Sequence, residues 1–165
     1  MEIVYLETSF ISLLVANPSR DLVTAANQQS TRDWWRLRRG EFVCVASSEV
    51  VREASQGDPQ EAQKRLETLS ELPVLRLTPE AERLMRALLA TGTLPPRAQT
   101  DAAHLAIAAA GKADYLLTWN CRHLANAQIL RPLEAEAKRI GWKLPKVCTP
   151  PELMGPFAYE SRTDT

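Results

Sequence analysis

Residues 100–126, TDAAHLAIAAAGKADYLLTWNCRHLAN, carry the reading that decides the fold. Asp101 opens an alanine-rich helical pattern over about 98–110, and Gly111 stops it. Residues 114–118 (DYLLT) then read as a short buried strand, followed at once by polar Thr118 and Asn120. A helix feeding an apolar strand is the repeating half of a βαβ chain.

Working outward, the alternation continues on both sides. Residues 3–6 are a brief apolar strand followed by a helix over 9–15, and Asn17-Pro18-Ser19 breaks the chain. Residues 21–39 return to a helical pattern ending in Arg38-Arg39-Gly40. Residues 42–45 are a second strand, after which Ser47 or Ser48 caps a helix over 50–54. A helix over 60–71, a strand over 73–77 and a helix start at Thr78-Pro79-Glu80 come next. Residues 91–96 form a loop. Beyond the central stretch, 133–140 is a helix closed by Gly141, and 146–148 a short edge strand. From Gly155 the residues GPFAYESRTDT lack periodicity and read as a mobile tail. The pattern predicts one α/β domain over 1–154, a short parallel sheet with helices on both faces.

Composition agrees. The 165 residues fit one domain with a sizeable core. Hydrophobic residues at 45% and charged ones at 24% exclude a disordered chain, a collagen-like fibre and a coiled coil. No apolar run approaches the ~20 residues of a membrane helix. MEIVYLETSF has neither the basic start nor the cleavage site of a secretory signal. Twenty basic and twenty acidic residues cancel, so a nucleic-acid partner must meet a local patch. Cys44, Cys121 and Cys148 form no CxxC pair, which predicts reduced thiols in a cytoplasmic protein.

Open α/β sheets bind ligands beyond the carboxyl ends of their strands. There the sequence places Glu7, Thr8 and Ser9, then Ser47, Ser48 and Glu49, then Thr118 and Asn120, with Asp101 at a helix start. Carboxylates gathered in one cleft suit a hard cation such as Mg²⁺ or Mn²⁺, which activates water and neutralises a phosphodiester. Taken singly, Glu49 and Asp101 also read as acids favoured at helix N-termini, Asp101 as a cap. Glu7 follows an apolar strand and has no such obvious duty.

Four motifs, YLETS, SSEVVREA, TDAAHLAIAAAGKADYLLTWNCRHLAN and CTPPELM, resemble the PIN-domain proteins, in particular the VapC-like group. The resemblance spans about residues 2–154. It implies a three-layer α/β/α fold and metal-dependent RNA cleavage leaving a 5′ phosphate. It also implies a toxin's role beside a small antitoxin, and a homodimer. Carried over by motif, the family's metal-binding acids fall on Glu7, Glu49 and Asp101, and its fourth site position on Asn120. Glu7 is one methylene longer than the usual aspartate, and Asn120 is neutral where an aspartate is common.

Thr8 and Ser9 then orient a metal-bound water or cap the helix that begins there, and Thr118 likewise puts a hydroxyl at the site or is an ordinary strand-end threonine. Arg52 and Arg97 hold phosphate or balance the acids. His104 reads as a packed histidine with a general base as the alternative, and His123 carries less still. Arg32, Arg36, Arg38 and Arg39 beside Trp34 and Trp35 either contact RNA or solvate the outer face of a helix, with at least one tryptophan in the core. Trp119 and Trp142 read as packing residues. The expected activity is that of a metal-dependent endoribonuclease. Two rivals remain: a PIN-like binding module with weak or no nuclease activity, and a DNA-directed nuclease.

Overall fold

The computed structural model describes residues 1–156, so the expected tail lies outside the described residues except for Gly155 and Pro156. Its strands are β1 (Ile3–Leu6), β2 (Val43–Ser47), β3 (Val74–Leu75), β4 (Tyr115–Leu117) and β5 (Lys146–Cys148). All pair in parallel in the order β3-β2-β1-β4-β5. The helices are α1 (Thr8–Val15), α2 (Leu22–Leu37), α3 (Ser48–Ala54), α4 (Pro59–Leu69), α5 (Pro79–Ala90), α6 (Gln99–Ala110) and α7 (Ala127–Arg139). This is the expected α/β/α architecture. Among the described residues no helix is long and apolar enough to cross a membrane.

Central β1 is flanked on both sides, Tyr5 lying opposite Val45 and Leu116. A strand with two neighbours and two covered faces must be apolar throughout, and Val4, Tyr5 and Leu6 are fully buried. The alanines of α6 serve the same end. Residues 102–109 of that helix are all buried, and small side chains let it sit tightly among α5, α3 and the core. Trp34 is the core tryptophan. Its ring packs edge-on against Phe10 at 5.6 Å and stacks on Phe42 at 5.7 Å, while Nε1 donates to the Leu153 carbonyl at 3.1 Å. Aromatic pairs of this kind contribute about 0.5–1.5 kcal/mol each beyond area burial.

Three elements differ from their sequence reading. The strand expected over 73–77 pairs only at Val74 and Leu75, because its partner β2 ends at Ser47, whose hydroxyl turns to cap α3. Helix α7 begins at Ala127, well before residue 133, with Asn126 accepting from the amides of Gln128 and Ile129 and Pro132 inside the helix. The helix stop at Gly111 is real, yet the left-handed residue there is Lys112, at φ 57°. Gly111 instead sits close to its neighbours: a Cβ on it would lie 2.5 Å from Leu75 Cδ1, so the Leu75 side chain would have to shift.

Candidate active site

Because the strand order reverses at β1, the crevice between the carboxyl ends of β1 and β4 is where such a sheet binds ligands. Glu7 leaves β1 at this point and Thr118 leaves β4. Glu7 is buried, 4% exposed. Its Oε2 accepts from the Ser9 amide at 3.0 Å, from the Ser9 hydroxyl and from Thr118 Oγ1 at 2.7 Å. Glu7 is therefore the N-cap of α1, a duty the sequence reading did not assign to it. The two hydroxyls in turn accept from backbone, Ser9 Oγ from the Trp119 amide at 2.8 Å and Thr118 Oγ1 from the Asn120 amide at 2.9 Å. Ser9 and Thr118, expected to orient a water, grip the carboxylate itself and fix it to the chain leaving β4.

The second acid that the fold brings to Glu7 is Glu53. Its Oε1 accepts from Thr8 Oγ1 at 2.7 Å and lies 2.6 Å from His104 Nε2. His104 is fully buried, and its Nε2 lies 3.9 Å from Glu7 Oε1. Ligating atoms of Glu7, Glu53 and His104 fall within 4.8 Å of one another. His104 Nδ1 meets Tyr5 Oη at 2.7 Å, and Tyr5 Oη meets Ser47 Oγ at 2.6 Å. Ser47 Oγ also accepts the Val50 amide as the cap of α3.

Glu49, placed with Glu7 by the sequence, does not join this cluster. Its Oε2 accepts from Arg52 Nε at 3.0 Å and Nη2 at 2.7 Å, and Arg52 also reaches Thr100 Oγ1 at 3.2 Å. Residues four apart on a helix share a face but stand one turn, ~5.4 Å, apart along it. Glu49 and Glu53 stand so on α3, and the later acid is the one at Glu7. Arg52 is occupied by Glu49, while Arg97 is exposed on the 3₁₀ turn Pro96–Ala98.

The third acid is held from the loop after β4. Asp101 Oδ1 accepts from Asn120 Nδ2 at 3.1 Å, and Oδ2 lies 3.0 Å from His123 Nδ1. Asn120 Oδ1 accepts the His123 amide at 3.0 Å, so Asn120 and His123 form one clamp. Asp101 does not cap α6, which begins after Ala98 without a side-chain cap; it lies in the first turn, where the helix dipole favours it. The arginines of α2 are engaged locally: Arg32 with the Ala16 carbonyl, Arg36 with Asp33, Arg38 with Glu41, and Arg39 above the Trp35 ring at 3.9 Å. Trp119 does more than pack, donating from Nε1 to Thr31 Oγ1 at 2.7 Å.

Charge in the crevice is shared. Burial pushes the Asp101 carboxyl above its ordinary value, Glu7 adds to this, and the two histidines only partly oppose it. Burial acts the same way on Glu53, but there the bonds from His104 and Thr8 win and hold the pKa low. Burial pulls the His104 imidazole down, and the bond to Glu53 with the charges of Glu7, Glu53 and Asp101 reverse it, so its pKa is raised. Glu7, Glu53 and His104 are the donors that come together, a set that suits a divalent cation, while Asp101, outside that group, is close enough to feel the charges of Glu7 and His104. A groove of about 820 Å³ opens at the other ends of the strands, beside Glu2, Lys112, Trp142 and Lys146. Among the described residues, the metal-ligating side chains that gather are those of Glu7, Glu53 and His104, in the crevice and not in this groove.

Sequence reasoning missed Glu53 and the wiring of Tyr5 and His104. The signals were present: Glu53 repeats the acid of Glu49 one turn on, and His104 repeats Asp101 three residues on.

No family model matches the sequence, and no curated relative matches it. Solved structures do match the fold. VapBC2 of Rickettsia felis bound to a DNA fragment from its promoter superposes with a TM-score of 0.55 at 18% identity, covering 73% of this chain and 90% of that one. VapC20 of Mycobacterium tuberculosis, a Sarcin-Ricin loop cleaving toxin, gives 0.56 at 15% identity, covering 72% and 91%. DNA-bound VapBC of Salmonella typhimurium gives 0.54 at 19% identity, covering 91% and 99%. The chain therefore shares its fold with these VapC structures.

Proposed function

We propose that this protein is a metal-dependent endoribonuclease of the VapC kind, the toxin of a toxin–antitoxin pair. One observation carries the reading: Glu7 and Glu53, from two different elements, converge at the switch point of the sheet, each with one oxygen held by hydroxyl donors. Glu7, Glu53 and Asp101 would hold a Mg²⁺ or Mn²⁺ ion, with Glu53 in the place first given to Glu49 and Asn120 acting through Asp101. Such an ion supplies a polarised water and neutralises phosphodiester charge. Ser9 and Thr118 keep Glu7 from swinging away, Thr8 does the same for Glu53, and Arg97 is available to a backbone phosphate. VapC20, which shares the fold, is named for cleaving the Sarcin-Ricin loop, and two of the similar structures are VapBC complexes; an RNA substrate and a small antitoxin are the corresponding proposals here. The homodimer and the cytoplasmic setting rest on the resemblance and on the three free cysteines.

The test is cleavage of a fluorescent RNA in Mn²⁺, in Mg²⁺ and in EDTA. Metal-dependent products lost in Glu7→Gln support the reading. RNA cleavage by neither metal defeats it. A second reading, a PIN-like binding module, is favoured by Asn120, which gives Asp101 a hydrogen bond where a fourth carboxylate would face a cation. RNA retention without cleavage would select it.

A further inference from the structure

The crevice contains a nitrogen as well as oxygens, and its orientation is built. Tyr5 lies on β1, Ser47 ends β2 and His104 lies on α6, so three separate elements meet to fix one imidazole ring. Ser47 Oγ accepts the Val50 amide and lies 2.6 Å from Tyr5 Oη, which lies 2.7 Å from His104 Nδ1, so the ring is tied through Nδ1. That chain turns Nε2 toward the acids. A histidine tied through one ring nitrogen, with the other turned toward carboxylates, has the form of a metal ligand with its orienting partner. Nε2 lies 3.9 Å from Glu7 Oε1. Donors on an octahedron with bonds of about 2.1 Å stand roughly 3–4.2 Å apart, so that pair fits an ion between them. The 2.6 Å from Nε2 to Glu53 Oε1 is a hydrogen bond, whose proton an entering ion would replace while the two atoms separate slightly.

We propose that His104 Nε2 is itself a ligand, so that this site binds Mn²⁺ through nitrogen and carboxylate oxygens and prefers Mn²⁺ over Mg²⁺. The inference rests on the nuclease reading, since it concerns the ion held by Glu7 and Glu53. Imidazole suits transition ions, whereas Mg²⁺ favours oxygen ligands and keeps its waters. Glu53, the most exposed of the three groups, is the side from which the ion enters.

The test is pulsed electron paramagnetic resonance of Mn²⁺ bound to the tag-free protein. The chain has two histidines, so His123→Gln leaves His104 as the only imidazole. We expect nitrogen modulation of the Mn²⁺ signal in that variant, altered when histidine is supplied ¹⁵N-labelled. Isothermal titration should give a Mn²⁺ affinity about tenfold or more above that for Mg²⁺. Mn²⁺ bound without nitrogen coupling overturns the inference and leaves the nuclease reading standing. Failure to bind Mn²⁺ in the crevice overturns the inference, and failure to bind either Mn²⁺ or Mg²⁺ there overturns the nuclease reading as well. In His104→Gln, if it folds, the ratio of the two affinities should fall toward one; an unchanged ratio counts against the ligand.

Discussion

Thr118 Oγ1 donates to Glu7 Oε2 at 2.7 Å, joining residues 111 positions apart at the ends of neighbouring strands β1 and β4. The threonine is fully buried, and its hydroxyl also accepts the Asn120 amide. Thr118→Val keeps the shape and removes both bonds. It should cost about 1–3 kcal/mol in chemical denaturation, because a buried carboxylate and a partly buried amide each lose a partner. Metal affinity should fall about 10–100-fold, as for other groups that orient a ligand. A variant with parental stability and metal affinity would show that Ser9 alone suffices.

The two acids of α3 are separable. Glu53→Gln should abolish metal-dependent cleavage, for Glu53 stands within ligating distance of Glu7. Glu49→Gln should leave cleavage near the parental rate and change stability by less than about 1 kcal/mol, since its pair with Arg52 is partly exposed. The reverse ranking in a cleavage assay would return the metal site to Glu49.

These two acids also mark how far the sequence could be read. The sheet was legible because buried parallel strands are apolar runs and α6 is a run of alanines, so both stand out in one dimension. Glu7, Asp101 and Asn120 were legible as polar residues just after strands or at a helix start. Glu53 was not, because SSEVVREA offers two acids on one helical face and only the packing of α3 against α1 and α6 selects between them. His104 looked like a core residue, and it is buried; its place in the crevice is set by its contacts with Glu53 and with Tyr5, 99 residues away. The short β3 and the early start of α7 were hidden for local reasons, an early partner end and an internal proline.

Thiol chemistry should single out Cys121. Burial pushes the Cys44 thiol up to about 11 and the Cys148 thiol up to about 12, so both are protonated and inert at pH 8. Cys121 is exposed beside Asn120. Brief iodoacetamide treatment of the native protein at pH 8 should modify Cys121 first by peptide mass analysis. Earlier labelling of Cys148 would mean that β5 opens readily.

Asp21 gives an acid-limb prediction. It caps α2, accepting from the Thr24 amide at 2.9 Å and the Thr24 hydroxyl at 2.8 Å, and these bonds hold its pKa below 3.8. A depressed carboxylate contributes stability that is present above its unfolded pKa and lost as pH falls through the folded one. The melting-temperature advantage of the parent over Asp21→Asn should therefore shrink on acidification below 3.8. A constant difference across that window would mean that the caps are equivalent.

Asn120 is where the site departs most from an all-carboxylate cluster. Its Nδ2 gives Asp101 a hydrogen bond, and its Oδ1 takes the His123 amide that orients the second half of the clamp. Asn120→Asp keeps the acceptor for His123 and turns the donor into a second negative oxygen against Asp101. The Asp101 carboxyl, already pushed up by burial, then meets a like charge at close range. Without metal, the variant should melt below the parent. Added Mn²⁺ or Mg²⁺ should raise its melting temperature more than the parent's, because the ion neutralises a larger excess charge and stabilises only the folded state. Cleavage should rise with metal occupancy at low metal concentration. A variant that loses stability and gains nothing from metal would show that Asn120 serves only to hold Asp101. Unchanged stability with and without metal would show that the loop swings the new carboxylate into water, leaving His123 as the sole support of Asp101.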